Sequence, residues 1–534
     1  MASTFHGIET ARRSLMTQRA ALETTGHNIA NANTEGYTRQ RVNMQASIPM
    51  EAYGVSRSLT PGQLGTGVEF TSITRIRETY LDTQFRGENS SLGSLTTQAD
   101  ALSKLEGIVN EPSDTGLRTV MDKFWNSLSD LSKDTESVTA RKVVRENALA
   151  LTDALNQTAK QLSDMGTDLT SNIAIKGKEM QSYMDSIADL NNSITRIESL
   201  GDNANDLRDQ RDLLTDKLSK IVNVTVTDTD AGYNITMGNQ ALVTGATATA
   251  LPVDGAAAKG SALETILSNA TGGEVQGMFL ARDKYTADYQ AQLDQVANTL
   301  ANGNVDVKIP AGSSFPEGTK LTKDVVLSDG STLAAGTGFP KGASLQSDTT
   351  LTVAGLNGLH QLGFTTDGSS QGGVAFFTSS ADGSTTVTAS NITLNPVISN
   401  DPSKIASSLR LDSSGSAVKG NNGLALLMSD LKTSKFVTTD ASGTTTTATL
   451  SDRYSGMVGQ LGIQAQEINR KAANAESLTA QVDTSRQSVS GVSQDEEMTN
   501  LVKFQQAYNA SARFMTTYDE MLDKLINSTG TVGR

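Results

Sequence analysis

From residue 501 onward the chain places an apolar side chain at alternating steps of three and four. Leu501, Phe504, Tyr508, Ser511, Met515, Tyr518, Leu522 and Leu525 hold these positions, and seven of the eight are apolar. A seam this narrow suits packing against another helix better than covering a wide globular core. The run "SQDEEMTNLVKFQQAYNASARFMTTYDEMLDKLIN" begins with Ser493 and Glu496 at capping-box spacing, and Asp495, Glu496 and Glu497 load the positive end of the helix dipole. Such a helix is about 34 residues and about 50 Å long. The other terminus mirrors it. Residues 4–31 read as one helix in which Ile8, Leu15, Leu22 and Ile29 recur every seven residues, with Ala11, Ala21 and Ala32 nearby. The chain therefore carries matched adhesive helices at its two ends.

Further helical patterns lie between them. Residues 78–109 carry Leu81, Phe85, Leu92, Leu95, Leu102 and Leu105. Residues 139–219 form a long stretch with Met180, Met184, Ile187, Asn191, Ile194 and Ile197 on one seam and a break at "GDNAND" (201–206). With 274–302 and 452–487 these predict an antiparallel helical bundle. Residues 221–272 turn to β-branched alternation, with hairpin turns at Asp230–Gly232 and Met237–Asn239. In 303–411 helical periodicity disappears, and "AGSSFPEGTKL" (311–321) returns as "AGTGFPKGASL" (335–345), which predicts a short β-meander or stacked insert. The stretch 438–450 is low in complexity and reads as an exposed loop.

The expected fold class is mixed and mainly α: an elongated multi-domain rod with terminal coiled-coil helices, a long helical bundle and outer β-rich domains. The divisions expected are an assembly domain (1–70 with 488–534), a bundle (71–220 with 274–302 and 412–487), a β-rich outer domain (221–273 with 356–411) and a small β insert (303–355). With 37% apolar and 4% aromatic residues, the composition suits long thin pieces better than one thick globule.

Signals for chemistry are missing. A net charge of −14 argues against nucleic acid and weakly against anionic membranes, and the absence of cysteine excludes disulfides, thiolate nucleophiles and Cys-ligated metals. No run approaches a membrane span, and the N-terminus lacks the apolar core of a cleaved signal. His6, His27 and His360 lie far apart and fit no ligand spacing, so surface or interface roles are expected. There is no P-loop, nucleophile elbow or dinucleotide fingerprint. No enzyme, metal or cofactor is expected.

The stretch "GHNIANANTEGYTRQ" (26–40) places Asn28, Asn31 and Asn33 where the first helix should end, followed by Thr34, Gly36 and Tyr37. Asparagine side chains bond to nearby backbone and tolerate left-handed conformations, and Gly36 can supply a positive φ. The motif is expected to stop the helix with fixed geometry, with Tyr37 anchoring the turn.

Asn28, Ile29, Ala30, Asn31, Ala32, Asn33, Thr34, Gly36 and Tyr37, together with the C-terminal run, resemble the axial proteins of the bacterial flagellum, with His27 where that family usually has Asn. "GYTRQR" (36–41), "LRDQRDLLTDKLS" (207–219), "GNQALVTG" (238–245), "GGEVQGMFLARD" (272–283), "NGLHQLGF" (357–364) and "GGVAFF" (372–377) are similar to the hook-associated protein 1 family. On that resemblance, 303–355 is an insertion. The resemblance implies a structural subunit at the hook–filament junction, exported unfolded through the flagellar type III apparatus. Its implied partners are other copies of itself, the hook protein, the second junction protein and an export chaperone on the C-terminal helix. Ile8, Leu15, Leu22 and Ile29 with Leu501, Phe504, Tyr508, Met515, Leu522 and Leu525 would form an inner tube, mobile in the monomer and ordered on assembly. The alternatives are a rod or hook protein of the same family, or an adhesin or enzyme displayed through the β-rich insert.

Overall fold

A computed structural model describes residues 5–49, 65–229, 232–253, 258–367, 372–439 and 445–527. In chain order the elements begin α1 (His6–Ala30), β1 (Gln40–Ala46), β2 (Val68–Arg75), α2 (Thr79–Val109), α3 (Leu117–Lys133), α4 (Val138–Glu198) and α5 (Asn205–Ile221). Then come β3 (Thr225–Thr229), β4 (Gly232–Met237), β5 (Gln240–Thr244), β6 (Thr247–Ala248), α6 (Ala262–Leu267), α7 (Gly273–Leu280) and α8 (Ala287–Asn302). A six-residue π-helical turn, Ala281–Thr286, joins the last two. The remainder is β7 (Asn304–Ile309), β8 (Val325–Val326), β9 (Thr332–Leu333), β10 (Thr349–Ala354), α9 (Gly355–Gln361), β11 (Phe377–Ser379), β12 (Ile392–Leu394), α10 (Pro396–Asn400), α11 (Gly423–Asp430), β13 (Phe436–Thr439), β14 (Thr445–Ala448), α12 (Leu450–Ser490) and α13 (Gln494–Asn527). The fold is mixed and mainly α, with several small sheets.

The chain divides into two compact units. The first comprises residues 1–96, 173–277 and 471–534. Its body is built on α4, where Met180, Met184, Ile187 and Ile194 are buried, facing a sheet ordered β3-β4-β5-β6 whose Tyr233, Ile235, Met237, Leu242 and Val243 are buried in turn. Asn191, expected on the apolar seam, is buried there and donates to Gly245 O at 2.8 Å, so the sheet's edge satisfies it. The second unit comprises 97–172 and 278–470. The aromatic rings of Phe124, Trp125, Phe376 and Phe377 meet there at 5.0–6.0 Å, and the same unit holds a sheet ordered β10-β7-β13-β14. The four-part division expected from sequence cuts the chain differently: 221–273 falls in the first unit and 356–411 in the second.

The repeat closes on itself. Phe315 and Phe339 are both buried with ring centroids 4.9 Å apart, Gly312 N donates to Leu345 O, and Gly336 N donates to Leu321 O. Each copy thus starts on the end of the other. Of the stretch 438–450, expected as a loop, residues 438–439 and 445–448 belong to the β13–β14 hairpin instead, where Thr438 pairs with Thr446, and 440–444 lie outside the described residues. Short helices α9 and α10 also interrupt the region where no helix was expected. The turn expected at Asp230 lies partly outside the described residues.

His360 is not at a surface. It is fully buried, its Nδ1–H donates to Val374 O at 2.5 Å, and its Nε2 accepts from Ala406 N at 2.9 Å. Burial pushes its pKa down to about 4, and the nearby Arg141 guanidinium adds to the depression. Because the folded pKa lies below the unfolded one, this contribution is complete above about pH 6.5 and is lost as the pH falls toward 4. The expected loss is about 3 kcal/mol. The single tryptophan, Trp125, lies in the same unit, so urea titrations of its fluorescence across that range report the change. A flat profile would contradict it.

Candidate functional site: where the two terminal helices meet

The terminal helices pair antiparallel with a constant seven-residue register. Gly7 sits against the Tyr518 ring, Ser14 Oγ meets Ser511 Oγ at 2.7 Å, and Asn28 bonds to Glu497. Gly7, Ser14, Ala21 and Asn28 therefore line the contact with α13. These residues are small or polar, which allows close approach; a Cβ on Gly7 would collide with the Tyr518 ring. The expected seam of Ile8, Leu15, Leu22 and Ile29 lies one residue further on. That is about 100° around the helix, and all four remain partly exposed. On α13, Leu522 is buried, Leu501, Phe504 and Met515 are partly exposed, and Tyr508 and Leu525 are exposed. The period was legible on both helices; the inward face differs by one residue on α1, while on α13 Ser511 and Tyr518 of the expected seam face α1.

Asn28 is the joint between the helices and the chain that leaves them. It lies inside the last turn of α1, and only 1% of it is exposed. Its Nδ2 donates to Gln40 O at 2.9 Å and to Glu497 Oε2 at 3.1 Å. Its Oδ1 accepts from Tyr37 Oη at 2.8 Å and from Gln40 N at 3.0 Å. All four of its bonding positions are thus used. Asn31 is the residue that caps the helix: its backbone N–H returns to His27 O, and its Oδ1 accepts from Thr34 Oγ1 at 3.2 Å. Asn33 is exposed. Gly36 takes φ +80°, as expected, and lies against Leu213 of α5. Tyr37 anchors the turn through Asn28 rather than by helix packing alone. Burial, with Asp206, Asp209 and Glu497 nearby, holds its hydroxyl pKa above the ordinary value, so it remains a donor.

The acids opening α13 do more than load a dipole. Glu497 is buried and pairs with Arg39 at 2.7 Å, while Glu496 turns its carboxylate to Arg39 at 2.8 Å. Ser493 Oγ reaches Glu496 N only at 3.5 Å, so the expected capping box is weak and Arg39 takes the place of its reciprocal half. Asp495 stays exposed. Arg39 N also donates to Ser490 O at 2.8 Å, tying the motif to the end of α12.

Beneath this joint runs a ladder of charges that was not anticipated. Asp209, Asp212 and Asp216 occupy one face of α5. Arg75 pairs with Asp209 at 2.7 Å and Asp212 at 2.9 Å, Arg77 with Asp82 at 2.6 Å, Arg86 with Asp216 at 2.7 Å, and Arg486 with Asp216 at 2.5 Å. Thr38 N donates to Asp209 Oδ2 at 2.8 Å, so the loop after Tyr37 joins the same ladder. Burial alone would raise the Asp212 pKa, but Arg77, Arg75 and Arg86 together outweigh it and hold it at about 2. Burial prevails at Asp209, whose pKa is raised despite Arg75 and Thr38. Three acids at i, i+3 and i+7 in "LRDQRDLLTDKLS" were the available signal: such a face is either solvated or matched by buried cations.

Among the described residues no group of His, Asp or Glu is placed to hold a metal ion, and no helix is long and apolar enough to cross a membrane.

Comparison with known proteins agrees with this layout. Residues 102–305 match the "Flagellar hook-associated protein FlgK helical domain", 8–38 the "Flagella basal body rod protein" family, and 484–528 the "Flagellar basal body rod FlgEFG protein C-terminal" family. The two rod-family matches coincide with the paired terminal helices. The chain is 36% identical over 542 residues to the flagellar hook-associated protein 1 of Bacillus subtilis (strain 168), covering all of both chains. It is 29% identical to that of Escherichia coli (strain K12), covering 97% of this chain and 99% of the other. A solved structure of the flagellar hook junction protein FlgK from Burkholderia pseudomallei shares the fold with a TM-score of 0.51 at 18% identity, covering 76% of this chain and 100% of that one. This chain belongs to the flagellar hook-associated protein 1 family.

Proposed function

We propose that this chain is a structural subunit of the bacterial flagellum that joins the hook to the filament, working by geometry and without catalysis. The observation that carries the reading is the incompleteness of the terminal helix pair. Small residues line the α1 side of its contact with α13, while Ile8, Leu15, Leu22, Ile29, Leu501, Tyr508 and Leu525 are left partly in solvent. A two-helix module that leaves a row of large apolar residues partly in solvent is completed by neighbours. In this reading the neighbours are further copies, the hook protein on one side and the second junction protein on the other. The full-length similarity to proteins named hook-associated protein 1 supports it. Before assembly an export chaperone covers Leu501, Phe504, Tyr508, Met515, Leu522 and Leu525, and the helices order when they meet their neighbours. The subunit acts outside the cell, after export in an unfolded state.

Sedimentation of the purified full-length chain with bare hooks tests this. The wild type should pellet with hooks, and Leu15→Asp with Leu22→Asp should lower binding at least about tenfold, since each places a charge on apolar contact area. Equal binding of the two would remove the seam from the assembly surface, and no binding by the wild type would refute the junction reading.

A further inference from the structure

Lateral packing of identical copies in a tube is heterologous: each contact needs two different surfaces on every copy. The partly exposed seam of α1 supplies one. The second lies on the opposite flank of the same helix. Hairpin β1–β2 runs along α1, with Gly67 against Thr10, Thr17 Oγ1 donating to Val68 O at 3.3 Å, and His6 bonded to Gly65 O at 3.0 Å. Thr10 and Thr17 each lie three residues past a member of the α13 contact line, about 60° to one side of it, whereas Ile8 and Leu15 lie about 100° to the other. Hairpin and seam therefore occupy opposite flanks at the same level along α1.

The hairpin carries its own unpartnered apolar patch. Met44 and Phe70 are direct cross-strand partners, so their side chains share one face, and they are 37% and 46% exposed. Ile48, just beyond β1, is 80% exposed. The pairing slips between Asn43 and Met44, and such a bulge re-aims the side chains that follow it. Two large residues facing each other across the ladder, both in solvent, are what a docking face needs before its partner arrives.

We propose that the Met44–Phe70 face of the hairpin in one copy packs on the Ile8–Leu15–Leu22 flank of α1 in the next copy of the same chain. The inference rests on the reading of the chain as a polymerising junction subunit and names the two surfaces of its lateral contact. A β1–β2 face about 23 Å long matches the reach from Ile8 to Leu22, about 21 Å. Each copy presents the hairpin to one neighbour and the seam to the other, so the contact propagates around the ring.

The chain has no cysteine, which makes crosslinking decisive. The full-length chain carrying Leu15→Cys with Phe70→Cys, expressed in cells lacking the native gene, is oxidised in intact flagella and run on non-reducing gels. The expected result is a ladder reaching beyond dimers, absent from either single variant and collapsed by reductant. Leu22→Cys with Met44→Cys serves as a second pair, and Ser14→Cys with Ser511→Cys as a control that closes within one copy. Flagella that assemble and crosslink in the control pair but give only monomers with both test pairs would overturn the hairpin contact and leave the junction reading standing. A crosslink confined to single copies would show that the hairpin covers its own seam, and would also overturn it. Failure of the cysteine-free parent to join flagella would defeat the junction reading, and this inference with it.

Discussion

Replacing Asn28 with Ala should weaken binding of the chain to hooks by about 3 kcal/mol, roughly a hundredfold. The substitution removes four bonds from a buried position and leaves Gln40 N, the Tyr37 hydroxyl and one oxygen of Glu497 short of a partner. A buried donor or acceptor left unpaired costs its full desolvation, which exceeds what the bond contributes when intact. Asn28→Asp separates bonding from volume. Its shape is nearly the same, but it loses the donors to Gln40 O and Glu497 and sets a second carboxylate beside Glu497, so it should bind more weakly than the Ala variant. Equal losses would mean that Asn28 fills space and nothing more. Trp125, in the other unit, provides the control: its unfolding curve should not move in either variant.

Asp212→Ala should destabilise the first unit by about 3–5 kcal/mol. The change leaves the guanidiniums of Arg75, Arg77 and Arg86 gathered around a missing charge in a buried site, and breaking such a set from one side costs more than the set contributes when whole. Hydrogen exchange over α5, residues 205–221, should read the loss directly, and unchanged protection would contradict it. The ladder also carries a pH signature. The folded pKa of Asp212 is depressed, so its contribution is complete above about pH 3.8 and is lost as the pH falls toward 2. The wild type should lose about 2 kcal/mol more than Asp212→Asn across that window. Asp209, whose pKa is raised, shares Arg75 with Asp212, so the comparison reads the coupled pair rather than Asp212 alone.

Periodicity was the most legible property of this chain. The seven-residue recurrence of Ile8, Leu15, Leu22 and Ile29 places α1, and the spacing from Leu501 to Leu525 places α13, because a repeat of that length survives any choice of partner. Which face of α1 turns inward was not legible. Reading large apolar residues as the contact picks Ile8 over Gly7, yet an intramolecular pair of this kind can sit on small residues when the large ones serve another surface. The three asparagines looked equivalent because all favour helix ends. Only the fold separates Asn31, which caps the helix, from Asn28, which takes its partners from Gln40 and from Glu497 far along the chain. The charge ladder was hidden for the same reason: Arg75, Arg86 and Arg486 find Asp212 and Asp216 only after β2, α2, α5 and α12 have been brought together. His360 gave no pattern at all, since a lone buried histidine satisfied by two backbone groups leaves no trace in spacing.

The most direct measurement is electron microscopy of cells in which this gene is deleted, with flagellin assayed in the medium. Bare hooks of normal length together with flagellin lost to the medium are the predicted result, because export continues while the surface that holds the filament is missing. Cells without hooks would place the subunit below the hook, and normal filaments would contradict a junction role altogether.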